Sequence, residues 1–368
     1  MYRKYANGEI TALQSYIIII SIMIGTGILG LSRVVSDIAQ QDAWISVLLN
    51  GIFISIIMAV IIHTVRKYPE DNFLQYISYL LSKPIAYLVT IAYIIYATLA
   101  TATIIRFLLE MIRTWLLETT PMAILSLILV LTAVYMVKNG LTIVARFNEV
   151  LFFYLIVFIL LILVALPETQ LINLRPVGGS GIKSIIKGAI PSFYAFGGYE
   201  VILVYYTYIS DKNTKILKYS VLSVLSVTLF YTITVASQIA LFGPDELSRV
   251  LYPSMNYLRA VDFPVFERME LFFTVFWSFT VIGTMGLQFF SGCLLSQIVF
   301  KTKKAATFAY IYAPIIFMLT LYPKNTPHLV ELSSYIGYMN IFFGLILPLL
   351  LFIMSLIRGG KGSNEKSV

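Results

Sequence analysis

Between residues 13 and 31 the chain is apolar for long enough to cross a bilayer, yet glycine stands at 25, 27 and 30 in the middle of the run. A glycine costs a helix interior up to ~1 kcal/mol relative to alanine, so this cluster predicts a helix that stops and restarts. Backbone groups freed by such a stop find no partner in hydrocarbon, and the break survives only where it lines a cavity or a bound solute. Residues 193–200, Phe-Tyr-Ala-Phe-Gly-Gly-Tyr-Glu, interrupt another apolar run about half a chain later. Paired breaks at corresponding places in two halves point to a transporter-type site near the midplane.

Of the 368 residues, 59% are hydrophobic and 12% charged, and the mean hydropathy is +0.87. That much apolar surface calls for lipid, and the reading is an all-α polytopic membrane protein. The net charge of +8 is spread over loops and gathers on no single face, which argues against nucleic acid and for topology beside an anionic leaflet. A single cysteine, Cys293, excludes an internal disulfide framework. Residues 1–10 are polar and no cleavage site follows a short apolar stretch, so the first run is read as a retained span.

Hydropathy places ten transmembrane helices near 11–32, 43–64, 84–112, 122–137, 147–166, 184–208, 218–242, 269–299, 305–321 and 335–357. They form a single transmembrane domain over 1–368, with a flexible tail at 359–368. Lys and Arg number 16 on the side of both termini, from Arg3 and Lys4 through Lys212 to Lys366, against 10 on the other, so both termini are expected on the cytoplasmic side. With broken helices 1 and 6 the spans divide five plus five, about 11–166 and 184–357. An odd number per repeat forces the second copy to be inverted. Two outer loops carry structure: 167–183, rich in Pro and Gly, and 243–268, where 251–261 reads as a short amphipathic helix either capping a vestibule or lying flat at the interface.

A half-helix beginning near Gly27 points free N–H groups and a positive dipole end into the cavity, which suits a carboxylate. A half-helix ending near Ala195 offers carbonyls, which suit an ammonium group. Together they make a receptor for a zwitterion, with Ile28, Phe193, Phe196 and Tyr199 as candidates for its side-chain pocket. Close helix packing explains one glycine pair as well; two matched breaks favour binding.

Gly25-Thr26-Gly27-Ile28-Leu29 resembles the G-x-G-I/L signature of the amino acid–polyamine–organocation superfamily, and Phe193-x-Ala195-Phe196-x-Gly198-x-Glu200 resembles its sixth-span pattern. The resemblance implies substrate contact through backbone at 25–29 and 195–198, Gly197 included. Within that superfamily the chain is most similar to the B subunit of spore germinant receptors, the spore germination permease family. That likeness rests on the length, on Leu174-Arg175-Pro176-Val177 before span 6, on Glu267-Arg268-Met269-Glu270 opening span 8, and on Tyr335-Ile-Gly337-Tyr338 before the last span, which contains Pro348. It implies a sensor of a small-molecule nutrient, often an amino acid such as L-alanine. The sensor would work with an A-type membrane subunit and a lipoprotein C subunit in the spore inner membrane, the termini facing the core. An amino-acid permease using the same site is the alternative.

Arg106, Glu110 and Arg113 share one face of span 3, read either as a gate near the vestibule or as a mutually neutralising ladder at the headgroups. Glu200 follows the second break within a turn; it can hold the unwound segment, titrate with a coupling proton, or touch the substrate amine, and the first is favoured. No lysine lies within 150–166, where proton-coupled members of the superfamily can carry one, and His63 and His328 sit at a cytoplasmic span end and in an outer loop. No metal-ligand cluster, phosphate loop or nucleophile–base pair is legible, so neither a cofactor nor an enzymatic activity is expected.

Overall fold

The computed structural model describes residues 8–164, 168–211, 215–260 and 268–359. Arg3, Lys4, Lys212, Glu267 and the tail 360–368 lie outside the described residues. Six helices among the described residues are long and apolar enough to cross a membrane, and three shorter apolar ones accompany them.

The first span is broken where the glycines stand. α1 (Ala12–Met23) starts from a capping box in which Thr11 and Gln14 exchange side-chain and backbone hydrogen bonds. It stops ahead of Gly25, continues as a 3₁₀ turn (Thr26–Leu29), and resumes as α2 (Leu31–Ala39). α3 (Ala43–Val65) crosses back, and α4 (Phe73–Leu80) leads into α5 (Lys83–Trp115), α6 (Met122–Lys138) and α7 (Leu141–Val164). The sixth span breaks in turn: α8 (Ile182–Ala195), a 3₁₀ turn (Tyr199–Val201), then α9 (Ile202–Tyr205). Gly198 sits between them at φ +107°, a conformation that suits a residue without Cβ. α10 (Lys215–Phe242) follows, then the outer pieces α11 (Pro244–Leu247) and α12 (Pro253–Arg259), α13 (Met269–Phe300) and α14 (Ala306–Leu321). The last span is α15 (Thr326–Ile341), a π turn (Phe342–Ile346) and α16 (Leu347–Arg358).

Elements of the first half pack on those of the second: α2 on α8, α3 on α10, α5 on α13 and α6 on α14. The broken spans are also tied outside the bundle. Ile10 N–H donates to Tyr208 O and Ser210 N–H to Ile10 O, each at 2.9 Å, joining the entry of span 1 to the exit of span 6. At the other end Asp42, fully buried, accepts from Gly178 N–H (2.7 Å) and Ser180 N–H (2.9 Å), which pins the Pro/Gly loop against the start of α3.

Two helix starts differ from the sequence reading. α7 begins at Leu141, since Gly140 (φ +82°) turns the chain at once and the polar positions 146–149 are already helical. α15 begins at Thr326, where the Asn325 side chain caps His328 N–H at 2.9 Å. His328 is therefore in a first helical turn and Tyr335, Gly337 and Tyr338 are inside the helix. α12 is packed into the protein, with Pro253, Ser254, Met255, Tyr257 and Leu258 all buried.

Candidate functional site

The two breaks meet. A Cβ added to Gly27 would lie 2.6 Å from Ala195 Cα, so the unwound turns touch backbone to backbone. Beside that contact lies a cavity of about 60 Å³. Span 1 contributes Ile22, Met23, Gly25, Thr26 and Gly27 to its wall, and span 6 contributes Tyr194, Ala195, Gly197 and Gly198. The remainder comes from Tyr96, Ala100, Thr103 and Ile104 on α5, Thr284 and Gln288 on α13, and Ile336 and Asn340 on α15.

The carbonyls released by the breaks are taken up by the surrounding helices. Thr284 O–H donates to Ser21 O (2.8 Å), Trp277 Nε1–H to Gly25 O (3.2 Å) and Ser254 O–H to Ile28 O (2.9 Å). Tyr231 reaches both breaks with one hydroxyl, 2.7 Å from Met23 O and 3.2 Å from Ala195 O. The N–H groups fare differently. Those of Gly25, Thr26 and Gly27 precede the first bond of the 3₁₀ turn and donate to no acceptor among the described residues. Three backbone donors of residues lining the cavity are therefore unmet, whereas the Ala195 carbonyl expected for an ammonium group is already shared with Tyr231.

Glu200, fully buried, accepts from Gly198 N–H and from the Tyr96 hydroxyl, both at 2.8 Å, and so braces the unwound turn of span 6 against α5. Asn340 Nδ2 lies 3.3 Å from the same Tyr96 oxygen. Two amide atoms on the wall are buried without a partner among the described residues: Gln288 Nε2, a donor, and Asn340 Oδ1, an acceptor. Tyr194 separates the cavity from an outer vestibule of about 390 Å³, which it also lines together with Arg33, Phe107, Tyr252 and Ser334.

The four side chains expected to form the pocket point elsewhere. Ile28 packs with Phe158, Ile162 and Phe230 behind span 1. Phe193 faces a lateral cleft beside α3. The turn after Ala195 swings Phe196 edge-on to Tyr231, ring centroids 5.1 Å apart. Tyr199 donates its hydroxyl to Gly344 O (2.7 Å) in the π turn of the last span. Arg106 and Glu110 also lie off the cavity: Arg106 Nη2 pairs with Glu110 Oε1 at 2.7 Å, its other arm meets Met122 and Thr320 O (3.5 Å), and Arg113 is exposed. That geometry braces α5 against α6 and α14 and pairs two of the three charges on this face. The residues missed were Tyr96, Thr284, Gln288 and Asn340. Each stands among other polar side chains of its span, so nothing in the sequence singled it out.

The result is an all-α membrane bundle in which two broken spans meet beside a small cavity. Two solved structures share the fold: MhsT in complex with L-phenylalanine (TM-score 0.62, 13% identity, covering 94% of this chain and 98% of that one), and a substrate-bound, outward-open Na⁺-coupled sialic acid symporter (TM-score 0.65, 9% identity, covering 95% and 90%). The chain itself belongs to the spore germination protein family, whose pattern matches residues 9–329. It is similar to spore germination protein YndE of Bacillus subtilis (strain 168), 29% identical over 351 residues covering 94% of this chain and 96% of that protein. It is similar also to spore germination protein GerLB of Bacillus cereus, 27% identical over 388 residues and 98% of each.

Proposed function

We propose that this chain is the nutrient-sensing membrane subunit of a spore germinant receptor, and that it binds a small zwitterion, an amino acid, between the breaks of spans 1 and 6. The observation that carries the reading is the pairing of unmet groups around one cavity. Three free N–H groups at 25–27 and the Gln288 donor await an anion or carbonyl, and the Asn340 acceptor awaits a cation or donor. At about 10–15 Å³ per water-sized occupant, 60 Å³ takes roughly five such occupants, the heavy-atom count of glycine or alanine. Binding would stabilise this conformation of the bundle, and partner subunits of the A and C types would read it. The family supports a membrane protein acting in spore germination; the setting would be the spore inner membrane, crossed ten times with both termini toward the core, and the site would use positions 25–27 and 194–198 with Glu200 as its brace.

The test is thermal unfolding of the purified chain in nanodiscs with glycine, L-alanine, L-alaninamide and N-acetyl-L-alanine. A rise in Tm with at least one free amino acid, lost when either its amine or its carboxylate is blocked, is the expected result; ligand at a hundred times Kd is worth about 2.7 kcal/mol. Equal shifts with the blocked analogues, or none with any free L-amino acid, would overturn the reading. The sensor also predicts no concentrative amino-acid uptake in proteoliposomes; gradient-driven accumulation would instead establish a permease working through the same cavity.

A further inference from the structure

At the end of the bundle opposite the vestibule lies an open basin of about 980 Å³, which shares no residue with the central cavity. Its wall brings together three helix ends from distant parts of the chain. Lys83 is the first residue of α5, Lys301 follows the last residue of α13, and Arg358 closes α16. Among the described residues of the wall, Asp71 is the one carboxylate against these three cations. Lys83 and Lys301 pair with no carboxylate among the described residues. Arg358 is held in place by α4: its Nη1 donates to Tyr79 O (2.7 Å), and the Tyr79 hydroxyl donates to Arg358 O (3.3 Å). Both bonds engage neutral groups, so the guanidinium is positioned with its charge intact.

The surplus of positive charge calls for an anion, and the face of α5 below the basin says which kind. Tyr87, also on the basin wall, stands four residues after Lys83; Ile91 and Ile95 follow at the same interval and are 46% and 50% exposed. Along this ridge Ile95 lies ~18 Å from Lys83, past the middle of a ~30 Å hydrocarbon core. A cation, a phenol at headgroup depth and then apolar side chains open to lipid repeat the order of a phospholipid from its phosphate to its acyl chain. A soluble anion would engage the cations and leave the ridge uncovered, and an acidic protein segment would stop at the same interface. Only a molecule that joins negative charge to a long apolar chain meets both. We propose that this basin is a binding site for an anionic glycerophospholipid, its phosphate held among Lys83, Lys301 and Arg358 and one acyl chain laid along Tyr87, Ile91 and Ile95. The bound lipid bridges the ends of α5, α13 and α16. The proposal rests on no part of the nutrient reading.

Phosphatidylglycerol carrying a diazirine midway along one acyl chain, photolysed with the full chain in phosphatidylcholine nanodiscs, tests it. The expected label falls on the α5 peptide carrying 87–95, is displaced by unlabelled phosphatidylglycerol, and resists both added phosphatidylcholine and inorganic phosphate. The double variant Lys83→Gln, Lys301→Gln is expected to cut labelling about tenfold, and Lys83→Arg, Lys301→Arg to retain it. Both lysines are exposed, so the Tm of the glutamine variant in pure phosphatidylcholine should match that of the parent chain, which separates loss of the site from loss of the fold. Equal labelling by the corresponding phosphatidylcholine probe, or undiminished labelling of the glutamine variant, would overturn the proposal. Displacement by inorganic phosphate would overturn it in favour of a soluble anion, and loss of the label when the chain assembles with its partner subunits in favour of an acidic protein segment.

Discussion

Gly27 and Gly30 are three positions apart in the same unwound turn and meet opposite surroundings. A Cβ on Gly27 runs into Ala195 Cα at 2.6 Å and Ala195 Cβ at 2.9 Å, whereas one on Gly30 meets nothing within 4 Å. Backbone cannot rotate aside as a side chain can. Gly27→Ala is therefore expected to cost about 3 kcal/mol, the upper end of overpacking, and to abolish the ligand-induced rise in Tm; Gly30→Ala should stay within about 0.5 kcal/mol with the rise intact. Thermal unfolding of the two variants side by side checks this, and equal behaviour would mean the breaks do not touch. The same contrast shows what was legible. Glycines announce a break through propensity alone, so the positions of both breaks could be read. Where Phe193, Phe196 and Tyr199 point depends on the turn after Ala195 and on Tyr231 and Gly344 far along the chain, which spacing does not encode.

At the level of helices, the seam between α3 and α10 is held by size. A Cβ at Gly51 would collide with the Thr228 side chain, 2.6 Å from its Cβ. Close approach through small residues is what joins helices where lipid is as apolar as their side chains. Gly51→Ala should destabilise by roughly 1–3 kcal/mol, and Thr228→Ala in the same chain should restore most of it, giving a coupling energy of about 1 kcal/mol or more. Additive effects in that double-mutant cycle would place the two residues apart. Span existence was legible from apolar runs. The starts of α7 and α15 were not, because Arg146, Asn148 and Glu149, or His328 and Glu331, look like loop until Gly140 and Asn325 are recognised as the residues that turn and cap.

For the molecule as a whole, the buried Cys293 leaves the chain without an accessible thiol among the described residues, so introduced cysteines report alone. Ser334 is exposed in the vestibule wall, and Gln75 lines a basin at the opposite end beside Lys83, Lys301 and Arg358. With termini inside, Ser334→Cys in intact cells is expected to react with a membrane-impermeant maleimide, and Gln75→Cys only after permeabilisation; the reverse pattern would invert the topology drawn from the Lys and Arg asymmetry. The division of the spans into two sets was arithmetic drawn from the two breaks; that α2 packs on α8 and α3 on α10 was not read from the sequence. Nor was the cavity wall, since α5, α13 and α15 each lend one or two polar side chains whose convergence only the assembled bundle reveals.

The Tyr231 hydroxyl owns one hydrogen and stands between two oxygens, one from each inverted half. Its allegiance is unequal, 2.7 Å to Met23 against 3.2 Å to Ala195. Tyr231 itself stands on α10, in the second half, so should the halves draw apart it parts from Met23 and stays beside Ala195, and the first half is left holding an uncommitted lone pair at the edge of the chamber.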